Sequence, residues 1–281
     1  MRRLIAIGTS ALFAATMAGA PLAAPAMAAS PILHAPRISL PPNGTGNGHG
    51  HGGGGGGGGG GGVGASFGWA SSNWSGYAVS SSTAGTYSSI TGQWTVPAVQ
   101  ATSGNSYSAS WIGIDGFNNS SLIQTGTGQD YVSGRASYYA WWEILPAAET
   151  QITKFVVHPG DQMSATITKG SGSSWTITIT DISDGTGGSF TTTQSYSGPG
   201  TSAEWIEEAP TVGGRIATLA HYGSTTFDPG TVNGGNPGLV VADGGVMIQK
   251  RVQVSTPSLP DPKGDGFSIQ YGSTVPAAPG S

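Results

Sequence analysis

Apolar and polar residues alternate one by one along much of this chain. Between Met163 and Thr168 apolar side chains alternate with Ser and Thr, and the same pattern runs from Trp175 to Thr180. This period of two places alternate side chains on opposite faces of a β-strand, so that one face is buried and the other contacts water. No convincing amphipathic helix interrupts these runs. The pattern therefore predicts β-strands.

Turn-forming residues separate the runs. Pro159-Gly160-Asp161, Ser183-Asp184-Gly185 and Ser197-Gly198-Pro199-Gly200 each combine residues that favour tight turns. Many short strands at regular spacing are typical of an antiparallel β-sandwich. We therefore predict an all-β, concanavalin-like or jelly-roll-like sandwich that spans residues 67–271 as one large domain.

The first residues have the three parts of an export signal. Arg2 and Arg3 precede an apolar run from Leu4 to Ala20, and Ala26-Met27-Ala28 forms a small-residue cleavage site. We predict that residues 1–28 are a signal peptide, that the protein is secreted and extracellular, and that it has no membrane contact after the signal is removed. Its predicted oligomeric state is a monomer.

Residues 29–66 are predicted to be a Pro/Gly-rich leader or propeptide linker. They end in an unbroken run from Gly52 to Gly62, and polyglycine behaves as a flexible coil because it buries no apolar surface. His49 and His51 lie beside this run, where two imidazoles on a flexible tether are more often incidental than metal-binding. Residues 272–281 are predicted to be a disordered tail.

The composition excludes several classes of chemistry. The chain has no cysteine, so disulfides, thiol nucleophiles and thiolate metal sites are absent. Charged residues make up only 9% of the chain, and from residue 65 onward fourteen acidic residues face seven basic ones. Few ion pairs and few bases favour resistance to acid, although a Ser/Thr/Gly-rich surface gives the same composition. No basic patch indicates nucleic-acid binding.

Familiar hydrolase motifs are absent or misplaced. There is no Asp-Thr/Ser-Gly and no His-Glu-x-x-His. The one Gly-x-Ser-x-Gly, Gly64 to Gly68, follows the glycine run, whereas a nucleophile elbow needs a strand before it and a helix after it. We therefore expect neither a metal nor a cofactor.

Gln124 is the first candidate for catalysis. An apolar strand is predicted at Trp111, Ile112 and Ile114, and a turn follows at Asp115-Gly116. Another strand is predicted to begin at Leu122-Ile123-Gln124. The apolar neighbours carry Gln124 toward the interior or a cleft. From the residues alone, Gln124 is either a core amide that bonds backbone groups or a catalytic amide.

An acidic cluster is the second candidate. Strand alternation places Glu204, Ile206 and Glu208 on one face and Trp205 and Glu207 on the other. Three ionised carboxylates so close together repel one another, so the cluster is either an exposed acidic edge or a functional group. Another acid, Glu143, stands in the aromatic row from Tyr138 to Pro146, and such rows line grooves or fill cores.

These pieces together resemble the glutamic peptidases (eqolisins) over most of residues 70–230. The similar segments follow one another in the same order as in that family. They are Ser72 to Tyr77, Trp94 to Pro97, Trp111 to Gly116, Leu122 to Gly126, Trp142-Glu143, Pro159 to Asp161 and Ala203 to Glu208. The resemblance implies a sandwich of two bent antiparallel sheets, and it implies hydrolysis of protein or peptide substrates in acid.

The resemblance also implies roles for single residues. Gln124 and Glu208 are the implied catalytic pair, with Glu208 as general base. Neither Glu204 nor Glu207 takes that role. Supporting or groove positions follow for Trp111, Asp115, Trp142 and Glu143. The chain departs from the family in lacking cysteine, in its glycine-rich leader, and in Leu145, where an aromatic lid residue is expected.

Two other functions remain open from the residues alone. A β-sandwich glycoside hydrolase would use Glu143 and Glu208 as paired carboxylates in an aromatic groove, but it would leave Gln124 without a role. A carbohydrate-binding or surface-binding module would use Tyr139, Trp141 and Trp142. Neither alternative is an acid peptidase, so an assay on denatured protein and on polysaccharide separates the three.

Overall fold

The computed structural model describes residues 30–39, 67–183 and 188–280, which form β-strands and one short 3₁₀ turn, Val241–Asp243. The signal peptide, His49, His51, the glycine run, the start of the Gly-x-Ser-x-Gly motif and the Asp184-Gly185 turn lie outside these ranges. In chain order the strands are β1 (Ile32–Leu33), β2 (Ile38–Ser39), β3 (Trp69–Ser71), β4 (Trp74–Ser80), β5 (Ser89–Thr95), β6 (Ala109–Ile114), β7 (Ile123–Val132), β8 (Arg135–Ile144), β9 (Thr150–Gln151), β10 (Gln162–Lys169), β11 (Ser174–Asp181), β12 (Ser189–Ser195), β13 (Ser202–Glu208), β14 (Thr211–Val212), β15 (Arg215–Ile216), β16 (Ser224–Val232), β17 (Gly244–Gln249), β18 (Val252–Pro257) and β19 (Phe267–Tyr271).

Most strands belong to one long, bent sheet. Its order is β12-β11-β10-β5-β16-β19-β18-β17-β4-β13-β6-β7-β8-β9, and every neighbouring pair along it is antiparallel. The sheet bends back so that β5, β10 and β11 lie over β6 and β7, which gives two layers. The predicted all-β sandwich is confirmed.

The main core lies between the two layers and follows the predicted alternation. Ile167 of β10 stands opposite Ile177 of β11, and both are fully buried. The threonines between such residues face outward, and Thr178 bonds Thr191 across to β12. Burial of one face of each strand supplies the hydrophobic stabilisation of this layer.

A second apolar cluster covers the opposite face of β4, β13, β6, β7 and β8. It includes Trp74, Trp111, Trp141 and Ile206. Strands β6 and β13 are therefore buried on both faces, which explains why their sequences do not alternate like β10 and β11. Gly126 stands between Trp111 and Trp141 in the register, and a Cβ atom there would lie 2.4 Å from the Trp111 Cβ.

Part of the leader packs on this second face. Strand β1 pairs with β14, and β2 pairs with β3, so residues 30–39 are bound to the domain at both ends. At the other end of the chain, Gly272 donates its backbone N–H to Val254, while the predicted disorder of the remaining tail stays a prediction. No helix within the described ranges has the length and apolar character needed to cross a membrane.

Candidate active site

Four neighbouring strands bring the predicted catalytic residues to one face. Gln124 of β7 stands directly opposite Glu143 of β8, and Gly113 of β6 links Gln124 to Glu204 of β13 in the same row. Glu208 lies four residues beyond Glu204, so strand alternation places it on that same face. Residues that are distant in sequence therefore share one face of the sheet because their strands lie side by side.

The Glu208 carboxylate is fully buried and held by hydrogen bonds. Its Oε1 accepts from Asn73 Nδ2 at 3.0 Å, and its Oε2 accepts from Trp111 Nε1 at 2.9 Å. Trp111 is predicted in a supporting position, and its indole contacts Glu208. Asn73 was missed, and the only signal for it was a polar residue before the aromatic strand β4.

The Gln124 side chain is fixed by its amide group. Its Nε2 donates to Glu143 Oε2 and, at 2.9 Å, to the backbone carbonyl of His34. Both amide N–H donors are therefore used, whereas Oε1 has no hydrogen-bond partner among the described residues. Glu143 thus orients the Gln124 amide, and Gln124 Oε1 is free to accept one more hydrogen bond.

Residue His34 of the leader sits among these carboxylates. Its Nδ1 lies 3.1 Å from Glu208 Oε2, its Nε2 lies 2.9 Å from Glu149 Oε2, and its ring stacks on Trp141 with centroids 3.8 Å apart. Both ring nitrogens face carboxylates, so both donate when the ring is an imidazolium. A lone histidine between two prolines gave no sequence signal for this role, nor did Glu149.

Electrostatics in the site reflect burial and the charge on His34. Burial raises the pKa of Glu143 to about 7, although the nearby His34 opposes the shift. Burial also raises the pKa of Glu208, against the charge and hydrogen bonds of His34 and the bond from Trp111. Burial alone would lower the pKa of His34, but the attraction of Glu208 and bonds with Glu149 and Glu208 outweigh it and raise that pKa to about 10.

Two residues expected along the groove lie elsewhere. Trp142 points to the opposite side of β8 from Glu143 and packs against the main core, whereas its neighbour Trp141 lies on the side of the carboxylates. Asp115 ends β6 with a φ of 70° and accepts hydrogen bonds from the Tyr196 hydroxyl at 2.7 Å and the Thr201 backbone at 2.8 Å. Its contacts anchor a turn, and they include neither Gln124 nor Glu208.

The other two glutamates of β13 are also buried. Glu207 lies on the opposite face, as predicted, and accepts a hydrogen bond from the Ser110 hydroxyl at 2.6 Å. Both Glu204 carboxylate oxygens are buried without a hydrogen-bond partner among the described residues. Burial raises the pKa of Glu207 to about 8 and that of Glu204 well above its ordinary value. The alternative of an exposed acidic edge is therefore wrong.

These shifts predict that the folded protein is more stable in mild acid than at alkaline pH. Between about pH 4.5 and pH 8 the folded state holds protons on Glu207, Glu204 and Glu143 that the unfolded chain has released, so the free energy of unfolding falls as pH rises. His34 acts in the same direction, because its raised pKa gives stability that is lost as pH rises toward 10.

Urea unfolding of the full chain at several pH values measures this dependence. Glu207→Gln removes one titrating group and keeps an acceptor for Ser110, so we expect it to flatten the profile and to stabilise the protein at pH 8 by at least ~2 kcal/mol. An unfolding midpoint as high at pH 8 as at pH 4.5 in the unsubstituted protein contradicts the prediction.

Comparisons with known proteins give the context of this site. The Peptidase A4 family model matches residues 72–267. Aspergillopepsin-2 from Aspergillus niger is 31% identical over 226 residues, which are 72% of this chain and 78% of that protein. A crystal structure of scytalido-glutamic peptidase with a transition-state analogue inhibitor superposes with a TM-score of 0.60 at 22% identity, and it covers 71% of this chain and 98% of that one.

A second solved structure is similar over the same extent. SCP-B, described as a member of the eqolisin family of peptidases in a complex with the tripeptide Ala-Ile-His, superposes with a TM-score of 0.54 at 21% identity. It covers 71% of this chain and 98% of that one. At these identities the two structures show a shared fold, which agrees with the sandwich of two bent sheets expected from the resemblance.

Proposed function

We propose that this chain, which belongs to the Peptidase A4 family and is a glutamic endopeptidase, hydrolyses peptide bonds in acid through a water molecule activated by Glu208 and Gln124. The observation that carries the proposal is that both side chains lie on one face of the sheet, on strands β7 and β13 on either side of β6, and that both contact His34. Family membership overturns the glycoside hydrolase and binding-module alternatives.

The proposed reaction begins with a water molecule between Glu208 and Gln124. The Glu208 carboxylate takes a proton from the water as its oxygen attacks the scissile carbonyl carbon, and Gln124 Nε2 donates to the oxyanion that develops. The carbon–nitrogen bond then breaks, and Glu208 returns the proton to the leaving amine. The products are a carboxylic acid and an amine, and Glu208 is again a carboxylate.

Neighbouring residues would keep the pair in position. Asn73 and Trp111 donate to the two Glu208 oxygens and so fix the direction of the base. Glu143 accepts from the Gln124 amide and so fixes the direction of the donor. An amide keeps its N–H groups at every pH, and only one carboxylate then has to remain partly ionised in acid. His34 in residues 30–39 contacts Glu208, and a cleft without this segment would hydrate the carboxylate and so weaken the burial that raises its pKa.

Peptides are the proposed substrates, and the extended leader segment in the cleft supports this proposal. The cleft holds Leu33 and His34 with the His34 carbonyl on Gln124. SCP-B is described in a complex with the tripeptide Ala-Ile-His, in which an aliphatic residue precedes histidine as Leu33 precedes His34 here. We further propose secretion, because residues 1–28 have the composition of a signal peptide.

Digestion of an unfolded protein at about pH 4 tests the proposed function. We expect rapid hydrolysis with new amino termini, no effect of EDTA or of serine and thiol reagents, and no release of sugar from polysaccharides. The reason is that the proposed nucleophile is water and that the proposed chemistry uses only Glu208 and Gln124. Inactivation by EDTA that zinc or calcium reverses contradicts the proposal.

A further inference from the structure

A slot for one flat side chain lies beside the proposed catalytic pair. Its floor is the Trp141 ring, on which the His34 imidazole lies with 3.8 Å between the ring centroids and 2° between the planes. At one edge Glu208 Oε2 lies 3.1 Å from Nδ1, and at the other edge Glu149 Oε2 lies 2.9 Å from Nε2. Only 1% of the His34 surface is exposed. The slot therefore encloses a planar ring and offers an acceptor to each ring nitrogen.

Acidic groups surround this slot. The ionisable side chains that act on His34 or on its partner Glu149 are Glu208, Glu149, Glu143, Asp130 and Tyr139. An imidazolium donates from both nitrogens and so serves both carboxylates at the edges, whereas a neutral imidazole has one donor and a phenyl ring has none. A buried carboxylate left without a donor or a counter-charge is costly. The slot therefore favours a planar cation over a neutral ring of similar size.

The backbone of the residue in the slot shows where a substrate would place its cleaved bond. The His34 carbonyl oxygen accepts from Gln124 Nε2 at 2.9 Å. In the proposed reaction that N–H donates to the oxygen of the scissile carbonyl. A substrate residue whose carbonyl is attacked therefore directs its own side chain into the slot.

We propose that the slot is a specificity subsite, in which Glu149 and Trp141 select a planar cationic side chain, above all histidine, on the residue that supplies the scissile carbonyl. The inference rests on the proposed function, because it takes Gln124 and Glu208 as the catalytic pair. Glu149 contacts the side chain of the substrate and none of the reacting atoms. It determines specificity, and Trp141 supplies the surface on which the ring stacks.

A cation in the slot also favours the ionised form of the proposed base. Burial raises the pKa of Glu208, and the charge and hydrogen bond of His34 oppose that rise. With a neutral side chain in the slot, more of Glu208 is protonated in acid and unable to accept a proton from water. Glu208 Oε1 accepts from Asn73 at 3.0 Å, and its second lone pair can take that proton. The choice of side chain is therefore coupled to the state of the base.

Competition between peptides in one solution tests the subsite. Three peptides that differ only in the residue before the cleaved bond, which is histidine, phenylalanine or lysine, are mixed with the protein at about pH 4, where free histidine is protonated. The ratio of their rates is the ratio of kcat/KM, and it does not depend on how much of the protein is active. Phenylalanine keeps the ring without the charge, and lysine keeps the charge without the ring. We expect histidine to be favoured over each by at least about tenfold.

Glu149→Gln is the decisive variant, because it keeps the size of the side chain and removes its charge. We expect it to reduce the preference for histidine over phenylalanine at least about fivefold. Asp181→Asn removes a negative charge at the end of β11, outside the site, and keeps an acceptor for Ser183, so it should leave the preference unchanged. Equal rates for the three peptides, or an unchanged preference in Glu149→Gln, overturn the inference.

The pH dependence of kcat gives a readout that a merely structural role of Glu149 would not move. In the unsubstituted protein the acid limb of the profile should lie at lower pH for the histidine peptide than for the phenylalanine peptide, because the cation keeps Glu208 ionised. In Glu149→Gln the two limbs should lie closer together, since the ring is held less firmly beside Glu208. Coincident acid limbs in the unsubstituted protein contradict the coupling of side chain and base.

An NMR titration of the His34 ring separates this inference from the proposed function, because it requires no activity. In the full chain this imidazole fills the slot and reports on it. The surrounding carboxylates raise its pKa to about 10, so we expect the ring to stay protonated at about pH 8 and Glu149→Gln to shift its titration to lower pH. A ring that titrates near its ordinary value of 6.5 overturns the subsite. If no peptide is hydrolysed, the proposed function fails, and the titration still decides whether the slot selects a cation.

Discussion

Glu208→Gln should reduce peptidase activity to background at every pH, a loss of at least about a thousandfold in turnover. The exchange is nearly isosteric, and a glutamine oxygen can still accept from Trp111 or Asn73, so the packing around residue 208 should persist. A neutral amide, however, cannot take the proton of the attacking water. Turnover on one unfolded protein substrate, with a circular dichroism spectrum to show that the variant is folded, measures the effect.

The neighbouring glutamates provide matched controls. Glu207→Gln alters the opposite face of the same strand, where Ser110 is its partner, and should change stability more than turnover. Glu143→Gln should lower turnover but leave it measurable, because Glu143 orients Gln124 and accepts no proton in the proposed reaction. An inactive Glu143→Gln variant beside an active Glu208→Gln variant would show that the base is misassigned.

Alternation along single strands predicted the fold and much of the site. In β10 and β11 the alternation correctly predicted one buried and one exposed face. The same period of two placed Glu204 and Glu208 on one face of β13 and Glu207 on the other. Periodicity also argues for Trp141 over Trp142 as the neighbour of Glu143, since residues two apart share a face of a strand. The expectation that Trp142 lines the groove came from the resemblance to a family motif, and the contacts place Trp142 on the main core.

The parts of the site that sequence reasoning missed depend on contacts between distant segments. Asn73 and Glu149 bond groups 135 and 115 residues away, and no local pattern identifies such partners. Asp115 is the converse case, because its place in a family motif suggested the groove, whereas its carboxylate serves the turn around Thr201. Asp residues often adopt positive φ in turns, as Asp115 does. The turn role of Asp115 could therefore have been predicted from the local sequence Asp115-Gly116.

His34 could not be predicted because the sequence around it indicates a linker. Its flanking prolines and the glycines that follow predict an unstructured leader, and β1 and β2 contain only two residues each. Such strands form only against the existing edges of β14 and β3. The buried carboxylates of the domain then supply the partners that a lone imidazolium needs. The leader is therefore ordered by the site that it covers.

Gln124→Ala should remove about 3–4 kcal/mol of transition-state stabilisation, which is a loss of at least about a hundredfold in turnover. The reason is that alanine offers no N–H to the oxyanion, while Glu208 can still accept a proton. The Michaelis constant should change less than turnover, because the interaction is made mainly in the transition state. Steady-state kinetics on a single peptide substrate separate the two parameters.

Another buried glutamine on the same strand gives the matched control. Gln129 is also fully buried in β7, but it lies on the opposite face and donates to the Thr127 carbonyl at 3.0 Å. Gln129→Ala should therefore cost folding stability and leave turnover nearly unchanged. Comparing the turnover of the two variants at equal folded fraction corrects for the loss of folding stability that follows from deleting any buried amide side chain of β7. If Gln124→Ala keeps most of its activity while Gln129→Ala behaves as expected, Gln124 is a structural amide and the proposed oxyanion donor must be sought elsewhere.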